Sequence, residues 1–331
     1  MKTAITLSFS LLAPLWLGMA APSEAPGQVP LIDNVRGPLL DNVRPNKSTG
    51  SADREASIRI DTDLTLVPVT VTDEHGRNVR GLGKHNFRVF DGAEQRPIVA
   101  FSREDAPVSV GLIFDSSRSM RDKFKAARDA ANRLFHQLNP EDEAFLVTVS
   151  NRSVVRQDFT SNLSDVADAL TFVGPDGTTS LLDGIYLGLE HMKKAHDPRK
   201  ALVVVSDGGE NNSRFTFQEL LEKAVESDTL VYTVCLFQNP QAPEEVEGPN
   251  LLQNHASKTG GMPFLSKDLN DFGKIMETIG VTLHNQYVLG YYPPDNAPSG
   301  KYRKIRVQLM VPPGMPPMQI YSRAGYYVPQ K

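Results

Sequence analysis

Val108-Ser109-Val110-Gly111-Leu112-Ile113-Phe114-Asp115-Ser116-Ser117-Arg118-Ser119 is the stretch that decides the fold of this chain. The run up to Phe114 is apolar apart from Ser109, which is typical of a strand buried in a sheet covered on both faces. Asp115, Ser117 and Ser119 follow at every second position, on a loop that leads into a predicted helix. One carboxylate and two hydroxyl groups at this spacing indicate a cradle for a cation.

Two later segments are able to complete this cradle. Gly177-Thr178-Thr179-Ser180 precedes an apolar helical pattern, and Asp207 directly follows the apolar strand Ala201-Leu202-Val203-Val204-Val205 and Ser206. An open parallel sheet places its ligands at the carboxyl ends of its strands. Because all three segments are predicted at such ends or in the adjoining loops, we interpret them as one site.

The types of side chain point to a hard metal ion. Carboxylate and hydroxyl oxygens suit Mg²⁺, Mn²⁺ or Ca²⁺, and these segments contain no Cys or His that would favour zinc. We take Mg²⁺ as the first choice, with Mn²⁺ and Ca²⁺ as alternatives. Two carboxylates and three hydroxyls leave the ion with much of its charge and with a coordination position for water or for an Asp or Glu of a protein partner.

This pattern resembles the metal-ion-dependent adhesion site (MIDAS) of von Willebrand factor type A domains, which consists of D-x-S-x-S, a distant Thr and a distant Asp. The resemblance implies that Asp115, Ser117, Ser119, Thr179 and Asp207 hold the metal. Thr178 is adjacent, but Thr179 is preferred because the sequence after it looks like the start of the family's helix. In the family the two Asp residues often reach the metal through water, whereas the hydroxyls bind it directly.

Each of these residues also has an ordinary structural interpretation. Ser117 or Ser119 could cap a helix that begins near Met120, and Thr179 or Ser180 could cap the next one. An Asp before two glycines is common in tight turns. The joint order of the residues and their flanking strands favour the metal site.

Composition and the first residues indicate the class of protein and where it acts. The 331 residues are 40% hydrophobic and 22% charged, with a net charge of −4, so clustered basic charge for nucleic acid is not expected. Residues 1–20 resemble a cleaved secretory signal peptide, with a membrane anchor as the alternative. We therefore predict an exported, periplasmic or extracellular protein without a membrane span in the mature chain.

Residues 21–57 are predicted to form a disordered linker that contains a near-repeat over residues 30–44.

The remaining sequence predicts two structural parts. Alternating helix and strand patterns over residues 106–285 predict a doubly wound, Rossmann-like α/β domain with a mostly parallel sheet. Period-two patterns over residues 58–105 and 286–331 predict strands of a small antiparallel, immunoglobulin-like β-sandwich, interrupted by the α/β domain. The lone cysteine, Cys235, lies in an apolar strand pattern and is expected to be buried rather than reactive.

The resemblance extends beyond the metal motif. Asp61–Ser102, Gln286–Tyr291 and Arg323–Pro329 are similar to the β-modules that flank the type A domain in secreted bacterial proteins called VWFA-related, known especially from acidobacteria. It covers roughly residues 58–329. One departure is Ser206, where many type A domains have Thr before the second Asp.

Three functions are compatible with such a site. The leading hypothesis is a non-enzymatic binding module in which the cation captures an acidic group of a protein partner. The competing hypothesis is a metal-dependent hydrolase, for example a phosphatase with Asp115 as nucleophile, but Ser117 stands where a second acid-base group is needed. The third is a cell-envelope protein in which the metal only stabilises the domain.

Overall fold

The computed structural model describes residues 64–103, 105–236, 243–294, 297–312 and 314–328. The predicted signal peptide, linker and near-repeat lie outside these residues. No helix among the described residues combines the length and the apolar character needed to cross a bilayer.

The described residues form the following strands and α-helices in chain order. The strands are β1 (Thr65–Asp73), β2 (Phe87–Asp91), β3 (Glu94–Arg96), β4 (Ala100–Ser102), β5 (Val108–Asp115), β6 (Glu143–Val149), β7 (Val154–Thr160), β8 (Arg199–Ser206), β9 (Leu230–Leu236), β10 (Pro263–Ser266), β11 (Tyr287–Tyr291), β12 (Tyr302–Leu309), β13 (Met318–Ser322) and β14 (Gly325–Tyr327). The helices are α1 (Phe124–Phe135), α2 (Leu163–Thr171), α3 (Leu181–His191), α4 (Phe217–Glu226), α5 (Pro243–Thr259) and α6 (Asp271–Leu283).

Strands β5 to β10 form one sheet in the order β10-β9-β8-β5-β6-β7. The pairs β10-β9, β9-β8, β8-β5 and β5-β6 are parallel, and β7 runs antiparallel to β6 at the edge. All eight residues of β5 are buried, because strands flank it on both sides and helices cover both faces. The carboxyl end of β5, where Asp115 lies, is thus next to that of β8, where Ser206 and Asp207 lie.

The described helices divide between the two faces of this sheet. Side chains of a strand alternate between faces, so Leu112 and Phe114 of β5 pack with α1, α2 and α6. Ile113 packs on the other face with α3, α4 and α5. This arrangement confirms the predicted α/β fold with a mostly parallel sheet, and it leaves the loops at the carboxyl edge free to form a site.

The strands before and after the α/β domain form a second part, which we call the β-unit (β1 to β4 and β11 to β14). Its two antiparallel sheets have the strand orders β13-β1-β11-β4 and β14-β12-β2-β3, so each sheet combines both ends of the chain. Val69 and Leu289 of the first sheet share a hydrophobic cluster with Val89 and Val307 of the second. An immunoglobulin-like form of this unit stays a prediction.

The structure departs from the sequence-based expectations in several elements. Helix α2 was not predicted, because Val166 and Leu170 are its only buried side chains and two positions do not make a recognisable period. The helix expected near Met120 begins at Phe124, after a 3₁₀ turn over Arg118–Met120. Strands β3 and β14 are three residues each, too short to show alternation.

Arg199 fastens the two connections between the α/β domain and the β-unit to each other. Its guanidinium donates hydrogen bonds to the carbonyl of Ala106, in the first connection, at 2.7 Å. It also donates to the carbonyl of Leu283, the last residue of α6, and to the side chain of Gln286, in the second connection. The entry and exit of the α/β domain are therefore held at one place.

His284 adds an ionic contact at the same place. Its Nδ1 lies 2.7 Å from Asp105 Oδ1 and its Nε2 lies 3.0 Å from Asp142 Oδ2. Burial acts to lower the pKa of His284, but the hydrogen bonds and negative charges of Asp142 and Asp105 outweigh it and raise the pKa above its ordinary value. The imidazolium form thus stabilises the junction of the two parts.

We expect this contact to make stability pH-dependent. Since the pKa of His284 is raised in the folded protein, its contribution is fully present below the unfolded value of about 6.5 and is lost as pH rises through the folded value. His284→Gln should therefore melt below the wild type at pH 6, by about 2–4 °C for each kcal/mol lost. The difference should narrow towards pH 9 in thermal melts.

His136→Gln is the matched control, because His136 is exposed on α1 and its Nδ1 contacts only the carbonyl of Asn132 among the hydrogen bonds described, at 2.6 Å. Its melting difference from the wild type at pH 6 should be smaller than that of His284→Gln, because no carboxylate contact of His136 is lost. A melting difference for His284→Gln that stays constant from pH 6 to pH 9 would contradict the ionic role.

Candidate metal site

Asp115 and the two serines that follow it lie where β5 ends. Asp115 is fully buried, and its Oδ1 accepts a hydrogen bond from the backbone N–H of Ser117 at 2.9 Å. The hydroxyl oxygens of Ser117 and Ser119 are 3.0 Å apart. Ser117 is buried whereas Ser119 is exposed, so these oxygens form a path from the buried carboxylate to the surface.

The alternative in which the hydroxyl groups serve as helix caps is not what the structure shows. Ser117 precedes the 3₁₀ turn without a side-chain capping hydrogen bond, and α1 begins after Lys123 rather than after Ser119. Ser180 precedes α3, but its hydroxyl donates to the carbonyl of Ser150 at 2.6 Å. The hydroxyls of the D-x-S-x-S stretch are therefore available for another purpose.

The loop that carries Thr179 is tied to both neighbouring loops. The N–H of Arg118 donates to the carbonyl of Gly177 at 3.1 Å, which joins it to the loop after β5. The N–H of Thr179 donates to Asn211 Oδ1 at 3.0 Å, which joins it to the loop after β8. Thr179 is buried, whereas Thr178 is exposed and donates its hydroxyl to Asn151 Oδ1 at 2.8 Å. This contrast supports Thr179 over Thr178.

Asp207 lies in the first turn after β8 and is fully buried. Its Oδ1 accepts the N–H of Gly209 at 3.2 Å, and its Oδ2 lies 3.1 Å from the ammonium of Lys123. Gly208, between Asp207 and Gly209, has φ +86°. A Cβ on Gly208 would come within 2.5 Å of the Cα of Gly248 in α5. Glycine is thus required after Asp207, by both conformation and space.

The electrostatics of the site show that the two carboxylates influence each other. Burial, followed by the negative charge of Asp207, raises the pKa of Asp115 to about 6. Hydrogen bonds from Ser117 and Ser206 oppose this rise. A buried carboxylate that is disfavoured in its charged form favours a bound cation.

The donor set fits a hard divalent cation. Asp115 and Asp207 would supply carboxylate oxygens, and the serines and Thr179 would supply hydroxyls, which is the chemistry preferred by Mg²⁺ and its relatives. In the part of the chain that is described, no group of three or more His, Cys, Asp or Glu side chains is placed to hold a metal. A site with only two carboxylates depends on its hydroxyl oxygens, as the D-x-S-x-S pattern predicts.

Two residues of the site were not assigned a role from the sequence. The hydroxyl of Ser206 donates to Asp115 Oδ2 at 2.6 Å and accepts the N–H of Gly208 at 3.0 Å, so it positions the carboxylate. Lys123 places a positive charge beside Asp207. A basic residue at the start of a helix is unfavourable for the helix dipole, and this was the signal that could have drawn attention to Lys123.

Charged residues near the site differ in their roles. Glu210 accepts hydrogen bonds from the N–H groups of Leu182 and Ser213, both at 2.9 Å, and so ties its own loop to the first turn of α3. Arg214 pairs with Asp183 at 3.1 Å. Arg118 is exposed and lies 3.7 Å from Asp176.

An open α/β domain with an oxygen-lined cradle at the carboxyl edge of its sheet defines the class of this protein. Residues 110–210, which include all five predicted metal-binding residues, match the family model of the von Willebrand factor type A domain. The protein therefore contains a von Willebrand factor type A domain. No curated protein matches the sequence of the chain.

Several solved structures are similar to this chain at low sequence identity. One is the conserved hypothetical protein BatB of Bacteroides thetaiotaomicron, with 17% identity over 53% of this chain and 98% of that chain and a TM-score of 0.44. Another is a von Willebrand factor type A protein of Catenulispora acidiphila, with 11% identity over 73% of this chain and 76% of that chain and a TM-score of 0.47. A third is proximal thread matrix protein 1 from the mussel byssus with a zinc-occupied MIDAS motif, with 16% identity over 58% of this chain and 49% of that chain and a TM-score of 0.45.

Proposed function

We propose that this protein is an exported binding module that captures an acidic side chain of a protein partner through a divalent cation. The observation that carries the proposal is the path of oxygens from the buried Asp115 to the exposed Ser119, beside the buried Asp207. A site built only for stability would not need a hydroxyl at the surface. The exposed end of the path is where a partner has access.

The residues of the site have distinct roles in this proposal. Asp115, Ser117, Ser119, Thr179 and Asp207 hold the cation, which we propose to be Mg²⁺, with Mn²⁺ and Ca²⁺ as related choices. When bound, the cation supplies a positive charge that an Asp or Glu of the partner can coordinate. Ser206 fixes the orientation of Asp115, and Asn211 fixes the loop of Thr179.

The rest of the chain is assigned a supporting role. We propose that the two sheets of the β-unit form an immunoglobulin-like sandwich that presents the type A domain to its partner outside the cytoplasm. We assign no reaction to the protein, because an Asp115 nucleophile would need a second acid-base group where Ser117 stands. Nucleic acid is not proposed as a partner, since the net charge is −4.

Thr179→Val tests the metal site directly. After removal of metals with a chelator, the wild type should bind Mg²⁺ or Mn²⁺ in a calorimetric titration. Thr179→Val should weaken this binding by about tenfold or more, because a methyl group replaces one oxygen ligand. Thr178→Val is the matched control, since the neighbouring hydroxyl is exposed and contacts Asn151, and it should bind metal as the wild type does.

Two results would count against the proposal. If the wild type bound neither ion, the metal site would be refuted. If Thr178→Val lost affinity for the metal while Thr179→Val kept it, the choice of threonine would be wrong.

A separate experiment tests for the protein partner. Capture of a partner from cell-envelope extract in Mg²⁺ but not in chelator would support the binding function. A large thermal shift with Mg²⁺ and no metal-dependent capture would favour a purely stabilising metal.

A further inference from the structure

Lys123 lies inside the candidate metal site. Its side chain is 5% exposed and its ammonium is 3.1 Å from the Oδ2 of Asp207, which is 0% exposed. Buried charges are costly unless a charge of the opposite sign lies beside them. Asp115 is also fully buried at this edge, and the negative charge of Asp207 acts on it. The ammonium therefore pairs with one of two neighbouring buried carboxylates.

The backbone position of Lys123 makes this role specific. Lys123 directly precedes α1, and its carbonyl accepts the N–H of Ala127 at 2.9 Å, so its backbone is held at the first turn. The N-terminus of a helix carries partial positive charge, which disfavours a lysine there. The ion pair with Asp207, 84 residues away, offsets this cost and orients the side chain into the site rather than into solvent.

We propose that Lys123 is a tethered counter-ion of Asp207, beside Asp115, and that it competes with the divalent cation for this pair of carboxylates. The ammonium stabilises the carboxylates when divalent cations are scarce. When divalent cations are abundant, its positive charge opposes their binding. Lys123 thus sets the concentration of divalent cation at which the site becomes ready for a partner.

This inference rests on the proposed metal site and adds the residue that regulates it. A lysine can act in this way because its ammonium sits on four rotatable bonds and can turn away without moving the backbone. A methionine at the same position has similar length but no charge. The exchange of Lys123 for Met therefore isolates the effect of the charge.

The test compares the full chain with its Lys123→Met variant in calorimetric titrations with Mn²⁺ and in thermal melts with chelator. Lys123→Met should bind Mn²⁺ about tenfold or more tightly than the wild type, because the repulsion is removed. In chelator it should melt at a lower temperature, because the buried Asp207 carboxylate is left beside Asp115 without the ammonium. Lys125→Met is the matched control, since Lys125 is 83% exposed and pairs with Asp129 on the surface of α1.

The outcomes separate this inference from the metal site itself. Equal or weaker Mn²⁺ binding by Lys123→Met, with clear binding by the wild type, would overturn the competition and leave the metal site intact. Absence of Mn²⁺ binding by both proteins would refute the metal site together with the competition. If Lys123→Met folded only with Mn²⁺ present, that would support the proposal, and if it did not fold at all, Lys123→Gln would replace it in the same titrations.

Discussion

Replacing Asp115 by Asn is expected to abolish binding of divalent cations and, at the same time, to raise the thermal stability of the protein in chelator. Asp115 and Asp207 are both fully buried, and the burial and charge that raise the pKa of Asp115 to about 6 show that its charged form is disfavoured. Asn removes that charge and keeps an acceptor for the N–H of Ser117. Its amide NH2 replaces the oxygen that accepts from Ser206, so the hydroxyl of Ser206 becomes the acceptor in that contact. The ion pair of Lys123 with Asp207 is then no longer next to a second buried negative charge.

The gain in stability is expected to be about 1–3 kcal/mol, since each unit by which burial and Asp207 raise the pKa of Asp115 corresponds to about 1.4 kcal/mol against its charged form. For a chain of this size, each kcal/mol corresponds to about 2–4 °C in melting temperature. Thermal melts in chelator measure the stability, and Mn²⁺ titration measures the binding. Such a loss of function together with a gain in stability is generally expected when a site that holds like charges close together is neutralised.

Asp129→Asn provides the comparison, because Asp129 is a half-exposed carboxylate on α1 whose partner, Lys125, lies 2.8 Å away on the surface. It should change neither the metal binding nor, beyond about 0.5 kcal/mol, the stability. If Asp115→Asn lost metal binding but melted below the wild type in chelator, the two buried carboxylates would not be destabilising the folded protein.

Replacing Asp91 by Ala is expected to destabilise the β-unit strongly. Asp91 is fully buried at the end of β2, and its Oδ1 accepts the Nε–H of Arg303 at 2.6 Å. Its Oδ2 accepts the hydroxyls of Tyr291 at 3.1 Å and Tyr326 at 2.9 Å. These partners come from β11, β12 and β14, so one carboxylate joins both sheets and both ends of the chain.

The loss of stability should be about 2–4 kcal/mol, since removing one member of a buried pair leaves its partners unsatisfied. The expected loss is smaller than for a fully buried pair because Arg303 is 22% exposed. Burial and the charge of Asp91 raise the pKa of Tyr326 to about 12, so the phenol remains a donor at neutral pH. Urea unfolding measures the change through the midpoint and the slope of the transition.

Glu94→Ala tests whether an exposed pair in the same unit behaves differently. Glu94 is 72% exposed and contacts Arg96 at 3.1 Å on β3, and its removal should cost less than about 1 kcal/mol. Similar losses for Asp91→Ala and Glu94→Ala would refute the importance of the buried carboxylate.

Much of the fold could be predicted because its signals are local. The apolar run before Asp115 identified the central strand, and the alternation of helix and strand identified the α/β domain. Helix α2 was missed because it buries only Val166 and Leu170, and the start of α1 was misplaced because Ser117 looks like a cap but does not act as one. A prediction from local sequence fails where one residue type, such as serine, has two common structural roles.

By itself, the sequence determined the class of fold and predicted the candidate residues of the metal site, because hydrophobic periodicity and the D-x-S-x-S spacing are properties of adjacent residues. Only the tertiary structure decided that Lys123 lies beside Asp207 and that Ser206 holds Asp115, since these partners are 84 and 91 residues apart. The same holds for the contacts of Asp91 with the far end of the chain. The order of strands in a sheet brings such pairs together, and no short sequence pattern specifies that order. These pairs determine how the charges of the buried groups are balanced.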